Sequence, residues 1–449
     1  MQTAVSITPD LVAEPTDRND VQRVMQYAAE SGVSVAVQAT GHGASSVAGG
    51  VLINTRRLDH IRIDPEAGTA EVGPGATWQD VVAESTRYGL LPLHGTAATV
   101  GVAGYTLGGG LGPLSRRFGY AADHVIDVDL VTPDGGFRRL AADTDPDLFW
   151  AIRGAGRHLG IATSLRFRLF PITEMYAGSF GLPADNWAQA VERYLDWTAG
   201  LPAEMSSFLS LTNFPDLPIL PPSVRGRRTA TIYVSFLGSP RDGSALLRPL
   251  QALPLESGSM SVISSGRLTS VFAEPAHPHP FQGDSVAVDG VDPDVLNTEL
   301  AHLASPDRKT PAFLFVHHLG GRLRSPAVPA NATGNRAANY VIRAISSPLP
   351  GSDSNLLAAE HDTWLDALAI KPTGRMANFM FGDTENQQRL ASCYATPDFN
   401  RLVDLVRRLD PTGLLHANRN ILDVDRADLT GDDERDRAPR KPTAAEAFS

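Results

Sequence analysis

Gln38-Ala39-Thr40-Gly41-His42-Gly43-Ala44-Ser45 and, further on, Gly95-Thr96-Ala97-Ala98-Thr99-Val100-Gly101-Val102-Ala103-Gly104-Tyr105-Thr106-Leu107-Gly108-Gly109-Gly110-Leu111-Gly112 are the stretches that decide the fold of this chain. Six glycines fall between Gly101 and Gly112. Glycine costs backbone entropy and packs nothing, so such density is expected only where backbone approaches another group closely or takes a positive φ. Flexible linkers also gather glycines. Linkers are polar, however, and here Val100, Val102, Leu107 and Leu111 are interleaved. Backbone N–H groups in such a loop can form a concavity for anions. A bulky planar cofactor with a pyrophosphate would meet both demands. A lone histidine between glycines is usually a surface or hydrogen-bonded residue, and it is the second run that gives His42 its meaning.

The two runs with their spacing resemble the FAD domain of the vanillyl-alcohol oxidase (p-cresol methylhydroxylase) superfamily, in particular its berberine-bridge-enzyme-like and 6-hydroxynicotine-oxidase-like branch. The resemblance covers roughly residues 10 to 175 and 373 to 421. It implies an α+β chain: a PCMH-type FAD-binding domain joined to an α+β substrate domain with an antiparallel sheet. It also implies that His42 carries the flavin covalently, through an imidazole nitrogen and the C8-methyl carbon of the isoalloxazine. This chain has Thr40-Gly41-His42 where the family usually shows Gly-Gly-His or Ser-Gly-His. Ala97 stands at the position where many members have a second, cysteinyl tether, so a single link is implied. Such a link raises the flavin potential and prevents cofactor loss.

By the same resemblance the FAD contacts are Gln38, Thr40, Gly41, Gly43 and Ala44 around the histidine. In the second run they are Thr96, Val100, Gly101, Val102, Gly104, Tyr105, Gly108 and Gly109. The later stretch Gly154-Ala155-Gly156-Arg157-His158-Leu159-Gly160 adds Gly156, Gly160 and Ile161, with His158 where asparagine is common. Read alone, that stretch suggests a dinucleotide fingerprint. A Rossmann site needs a strand before the glycines and a helix after them, and here a helical segment precedes and a strand pattern follows. Asn378, Asn418 and Asn420 complete the set from the closing segment, in which the family's chain returns to the first domain.

A bound flavin implies hydride removal from a carbon bearing nitrogen or oxygen, in a small molecule of the natural-product kind, with oxygen as the acceptor. Val102 stands where the family's oxygen-access residue lies. Relatives often have a tyrosine two residues before Asn378, and Met376 cannot serve as a base. Either His318 or Tyr340 accepts the proton, with a packed, hydrogen-bonded structural role competing for both, or the substrate is a neutral amine that needs no base. Two other classes stay open: a dehydrogenase on the same fold that uses a carrier instead of oxygen, and a non-redox cyclase or flavin-binding protein. Substrate identity and oligomeric state are not readable.

The chain has 449 residues, 42% of them hydrophobic and 20% charged, room for two or three globular domains. Its 39 basic against 50 acidic residues give a net charge of −11. Nucleic acid normally demands a basic face, and an anionic membrane surface disfavours such a chain in the same way. Nothing approaches eighteen consecutive apolar residues, and the first residues lack a secretory pattern. A soluble, cytoplasmic protein is expected. Cys393 is the only cysteine, which excludes an internal disulfide or a cysteine-based metal cluster. Ala276-His277-Pro278-His279-Pro280 could offer two metal ligands, but the prolines impose an extended turn with no third ligand suggested, so no metal is expected.

Helical spacing at Val21, Val24, Met25 and Ala28 predicts a helix, and Val33, Val35 and Val37 a strand leading to His42. Thr77 with Asp80 resembles a capping box before Trp78, Val81 and Val82. Strands are predicted at Val125 to Val131, Ile161 to Leu169, Thr229 to Leu237 and Phe313 to His318. Adjacent His317 and His318 must then face opposite sides. Helices are predicted at Asp147 to Arg153, Ala188 to Trp197 and around Phe399 to Leu409. The expected domains are 1–176 for FAD, 177–372 for substrate, 373–421 returning to the first domain, and 422–449 as a charged, mobile tail.

Overall fold

Helix Arg18–Ser31 starts on a side-chain cap, Asp17 accepting the backbone N–H of Asp20, and ends at Gly32 with φ 63°, a left-handed turn that glycine adopts without strain. Its Val21, Met25 and Ala28 are fully buried. They pack with Val35, Val51 and Ile53 of a parallel three-stranded sheet ordered Leu11–Ala13, Val51–Asn54, Val35–Gln38. Val37 departs from the predicted alternation: it is 46% exposed and lines a large cavity.

A second sheet of five antiparallel strands follows, in the order Phe137–Ala141, Val125–Val131, Ile161–Arg168, Thr69–Val72, Ile61–Asp64. Helix Trp78–Ser85 begins with Thr77 and Asp80 bonded to each other, side chain to side chain, at 2.6 Å. Helix Pro146–Ala155 lies in the same core. The amphipathic helix Thr396–Leu409 returns to this core through Phe399, Leu402, Val403 and Val406. The Val35 N–H then donates to the Leu414 carbonyl at 2.8 Å, which ties the segment after this helix beside the strand that leads to His42.

Between these parts lies an antiparallel sheet of eight strands, ordered Ser257–Ser264, Glu174–Leu182, Arg228–Phe236, Met205–Asn213, Ala312–His318, Tyr340–Ser346, Gln282–Gly290, Ile370–Gly374. It begins at Glu174 and ends at Gly374, so the domain boundaries expected at 176/177 and 372/373 fall inside its strands. One face carries Leu209, Leu211, Ile232, Val234, Leu314, Val316 and Ile342. These pack into one core with helices Trp187–Thr198, Pro240–Gln251, Pro293–Leu303 and Ser354–Leu368. Side chains alternate along a strand, and the other face is left to the cavity. The computed structural model describes residues 2–415, apart from 183–186, 252, 254, 256, 273, 306, 369 and 383–386, together with 421–423. Asn418, Asn420 and the expected tail after Asp423 lie outside the described residues. Among the described residues no helix is long and apolar enough to cross a membrane.

Two buried histidines make stability depend on pH. Burial pushes His158 and His361 down to about 3, although Ser346 Oγ lies 2.9 Å from His361 Nε2. Both stay neutral in the folded chain and take up a proton near pH 6.5 once unfolded. Stability is therefore full above about pH 6.5 and falls as pH drops towards 3, by up to about 1 kcal/mol per pH unit for each. Urea unfolding between pH 7 and 5 should show this slope, and His361→Asn should flatten it by about 1 kcal/mol per unit. An unchanged slope in that variant would refute the assignment.

Candidate active site

At the end of strand Val35–Gln38 the chain turns through Gly41 at φ 71° and presents His42 to a cavity of about 1010 Å³. Its imidazole lies 5.5 Å from the Phe281 ring. Burial pushes it down to about 4, helped by the terminal amino group, His279 and Arg343. The ring is thus neutral at pH 7 and has a free nitrogen. The Gly41 carbonyl accepts from the N–H groups of Gln2 and Ala44, whereas those of His42 and Gly43 donate to no protein group among the described residues. Gln38, Thr40, Gly43 and Ala44 line the same wall.

The glycine run meets this loop directly. A Cβ on Gly101 would sit 3.3 Å from Thr40 Oγ1. Beyond it, helix Val102–Leu107 turns Gly104 toward the cavity, where a Cβ would meet nothing within 4 Å. Gly108 has no such freedom: a Cβ there would fall 2.0 Å from Asn378 Oδ1. Asn378 Nδ2 in turn donates to the Tyr105 carbonyl at 2.8 Å, clamping the returning segment against the run. Thr96, Val100, Tyr105, Gly156, Gly160 and Ile161 also border the cavity, as does the methyl of Ala97.

Two expected contacts are corrected. Val102 is fully buried and points into the domain core, with Trp78 and Leu107, so it does not border the cavity. Gly109 takes φ 113° and packs against Thr333, beside a small separate cleft. Its glycine serves the turn. His158, at the asparagine-like position, is buried outside the cavity.

The facing wall is the open face of the eight-stranded sheet. Strand register sets rows across it: Tyr233, Phe208 and His317 are neighbours, as are Ser210, Phe315 and Arg343. Phe208 stacks on Tyr233 at 4.7 Å and on His317 at 4.8 Å. His317 is pushed well below its ordinary range by burial, with Arg343 adding to the effect. Glu274 is the only carboxylate bordering the cavity among the described residues, while Arg116, Arg157 and Arg343 border it too. Sequence reasoning missed Arg343 and the aromatic rows. The signal that could have found them is the alternation Phe313, Phe315, His317, which makes one face aromatic and puts the second histidine on the other.

His318 and Tyr340 therefore need correction as proton acceptors. They are register partners on the strand face that meets the helices, although His318 also borders the cavity. Arg116 Nη1 donates to His318 Nε2 at 2.9 Å, and burial with Arg116 pushes that imidazole down to about 3. Such a group is a poor base near neutral pH. Tyr340 shares a hydrogen bond of 2.8 Å with Thr198 Oγ1 and does not border the cavity. Met376 is buried against Tyr120, Leu323 and Val341. His277 and His279 border the cavity with rings 5.9 Å apart, and no group of three metal-binding side chains occurs among the described residues.

These residues fit a flavin dinucleotide. The cavity is large, free backbone N–H groups and a Cβ-less helix face line one wall, and a neutral imidazole stands at the turn. Residues 9–141 match the family model described as an FAD binding domain. The chain is 26% identical over 427 residues to an FAD-linked oxidoreductase of Dictyostelium discoideum, covering 92% of this chain and 89% of that protein. It is 33% identical over 187 residues to the (R)-6-hydroxynicotine oxidase of Paenarthrobacter nicotinovorans, a match that takes in 41% of this chain and 40% of that enzyme. Its fold is shared with the glucooligosaccharide oxidase of Acremonium strictum, whose FAD is 6-S-cysteinyl, 8α-N1-histidyl. There the TM-score is 0.80 at 17% identity, over 94% of this chain and 93% of that one.

Proposed function

As the chain belongs to the vanillyl-alcohol oxidase (p-cresol methylhydroxylase) superfamily of FAD-linked oxidoreductases, we propose that it is an oxidase with FAD singly tethered to His42. It removes hydride from a C–N or C–O centre of a small molecule, with dioxygen as acceptor. The observation that carries this reading is the meeting of Thr40 with Gly101 beneath a neutral, unbonded His42. Attachment needs an unprotonated imidazole nitrogen, and burial supplies one at neutral pH. His42 would hold the cofactor through that nitrogen, and forming such a link would need a two-electron oxidant, a role that dioxygen would fill. Ala97 offers a methyl where a thiol would be needed for a second link.

When bound, FAD supplies the two-electron acceptor for the substrate's hydride. The protein's part is to seat and orient. The His42 loop and the Gly104 helix face hold the cofactor wall, and Asn378 locks the returning segment to it. Phe208, Tyr233 and Phe315 give the opposite wall an apolar surface. The reading is tested by mixing holoenzyme anaerobically with panels of amines, alcohols and oligosaccharides. At least one class should bleach the flavin absorbance, and admitting air should restore it with one peroxide formed per flavin. Bleaching that air does not reverse would point to a carrier-dependent dehydrogenase. No bleaching across all classes would defeat the redox reading.

A further inference from the structure

Arg343 is a half-buried cation that the cofactor wall does not use. It projects from strand Tyr340–Ser346 onto the cavity face. Its guanidinium lies over the rings of Phe379 and Phe315, 4.2 and 4.9 Å from their centres. These rings hold the guanidinium in place but offer its N–H groups no acceptor in the plane of the fork. Nη1 donates to His317 Nε2 at 3.3 Å. Nε is buried without a partner, and Arg343 forms no ion pair among the described residues. Glu274 acts on it only at long range, with its carboxylate bonded to Thr96 Oγ1 at 2.9 Å. Leaving a charged donor buried and unsatisfied is expensive.

We propose that Arg343 is the substrate's anion seat: the substrate carries a carboxylate that the guanidinium binds while its apolar body lies against Phe208 and Tyr233. This deepens the oxidase reading and rests on it for the word substrate. Several features converge on a carboxylate. The chain is acidic overall, yet among the described residues its cavity is bordered by a single carboxylate. The planar fork of arginine matches two carboxylate oxygens. His317, being neutral, orients the fork without repelling the ligand.

The test reads binding to oxidised holoenzyme by calorimetry, with no turnover, using benzoate and its uncharged analogue benzamide as probes. Benzoate should bind at least about tenfold more tightly than benzamide, the range of a charge-assisted hydrogen bond. Arg343→Met should abolish that preference while leaving benzamide affinity within about threefold, and Arg343→Lys should retain part of it. Equal binding of the two probes by the unmodified protein, a comparison that needs no variant, would overturn the proposal. So would a preference that survives in Arg343→Met, even with a lowered flavin potential, because the arginine would then serve the cofactor. A failed bleaching screen with an intact benzoate preference would sink the oxidase reading alone.

Discussion

His42→Ala is expected to yield protein whose FAD is released completely into the supernatant on acid precipitation, while the unmodified protein's pellet stays yellow and a flavin-bearing peptide from it contains His42. The expectation follows from where the imidazole sits. It borders the cavity, it lies beside the Phe281 ring, and burial holds it neutral down to about pH 4. Because no hydrogen bond among the described residues depends on the imidazole, the variant should fold and bind FAD reversibly. Loading of the unmodified apoprotein should be independent of pH above about 5 and fall roughly tenfold per unit well below pH 4, as the nitrogen becomes protonated. Free FAD from acid-treated unmodified protein would end the tether idea, whatever the enzyme's activity.

Gly104→Val should abolish FAD loading, by at least about a hundredfold at limiting cofactor, without lowering the unfolding temperature. The substitution places three carbons into space that the protein leaves open, where a filled cavity resists extra volume by roughly 1–3 kcal/mol. The site lies within a helix, and valine is a better helix former than glycine, so the fold itself should not suffer. Gly109→Val is the contrasting case. Its φ of 113° lies in a region that β-branched residues scarcely enter, so that variant should lose stability first and cofactor only as a consequence. Full loading of Gly104→Val would mean that the helix face is not the cradle.

The two loops were readable because their chemistry is local. A glycine-flanked histidine and a dense, apolar-interleaved glycine run depend on a few neighbours along the chain. So do the capped helix at Arg18–Ser31 and the alternating strand Ile161–Arg168, which lie where the period predicts. The return of Phe399, Leu402 and Val406 to the first core was also in reach, as an amphipathic stripe with one face to bury.

What the chain alone determined, then, is its periods, its turns and the two loops that come to border the cavity. The tertiary structure decided which way each side chain faces. A strand presents two faces that differ by one residue, and a pattern of apolar residues cannot say which face meets helices and which meets a cavity when both are buried. Hence His317 joins the aromatic face of the cavity while His318, which also borders the cavity, is held by Arg116, Val102 turns inward, and Arg343, flanked by Ile342 and Ala344, borders the cavity. The contacts of Thr40 with Gly101 and of Asn378 with Gly108 are likewise made by the packing of distant segments, which no local spacing encodes.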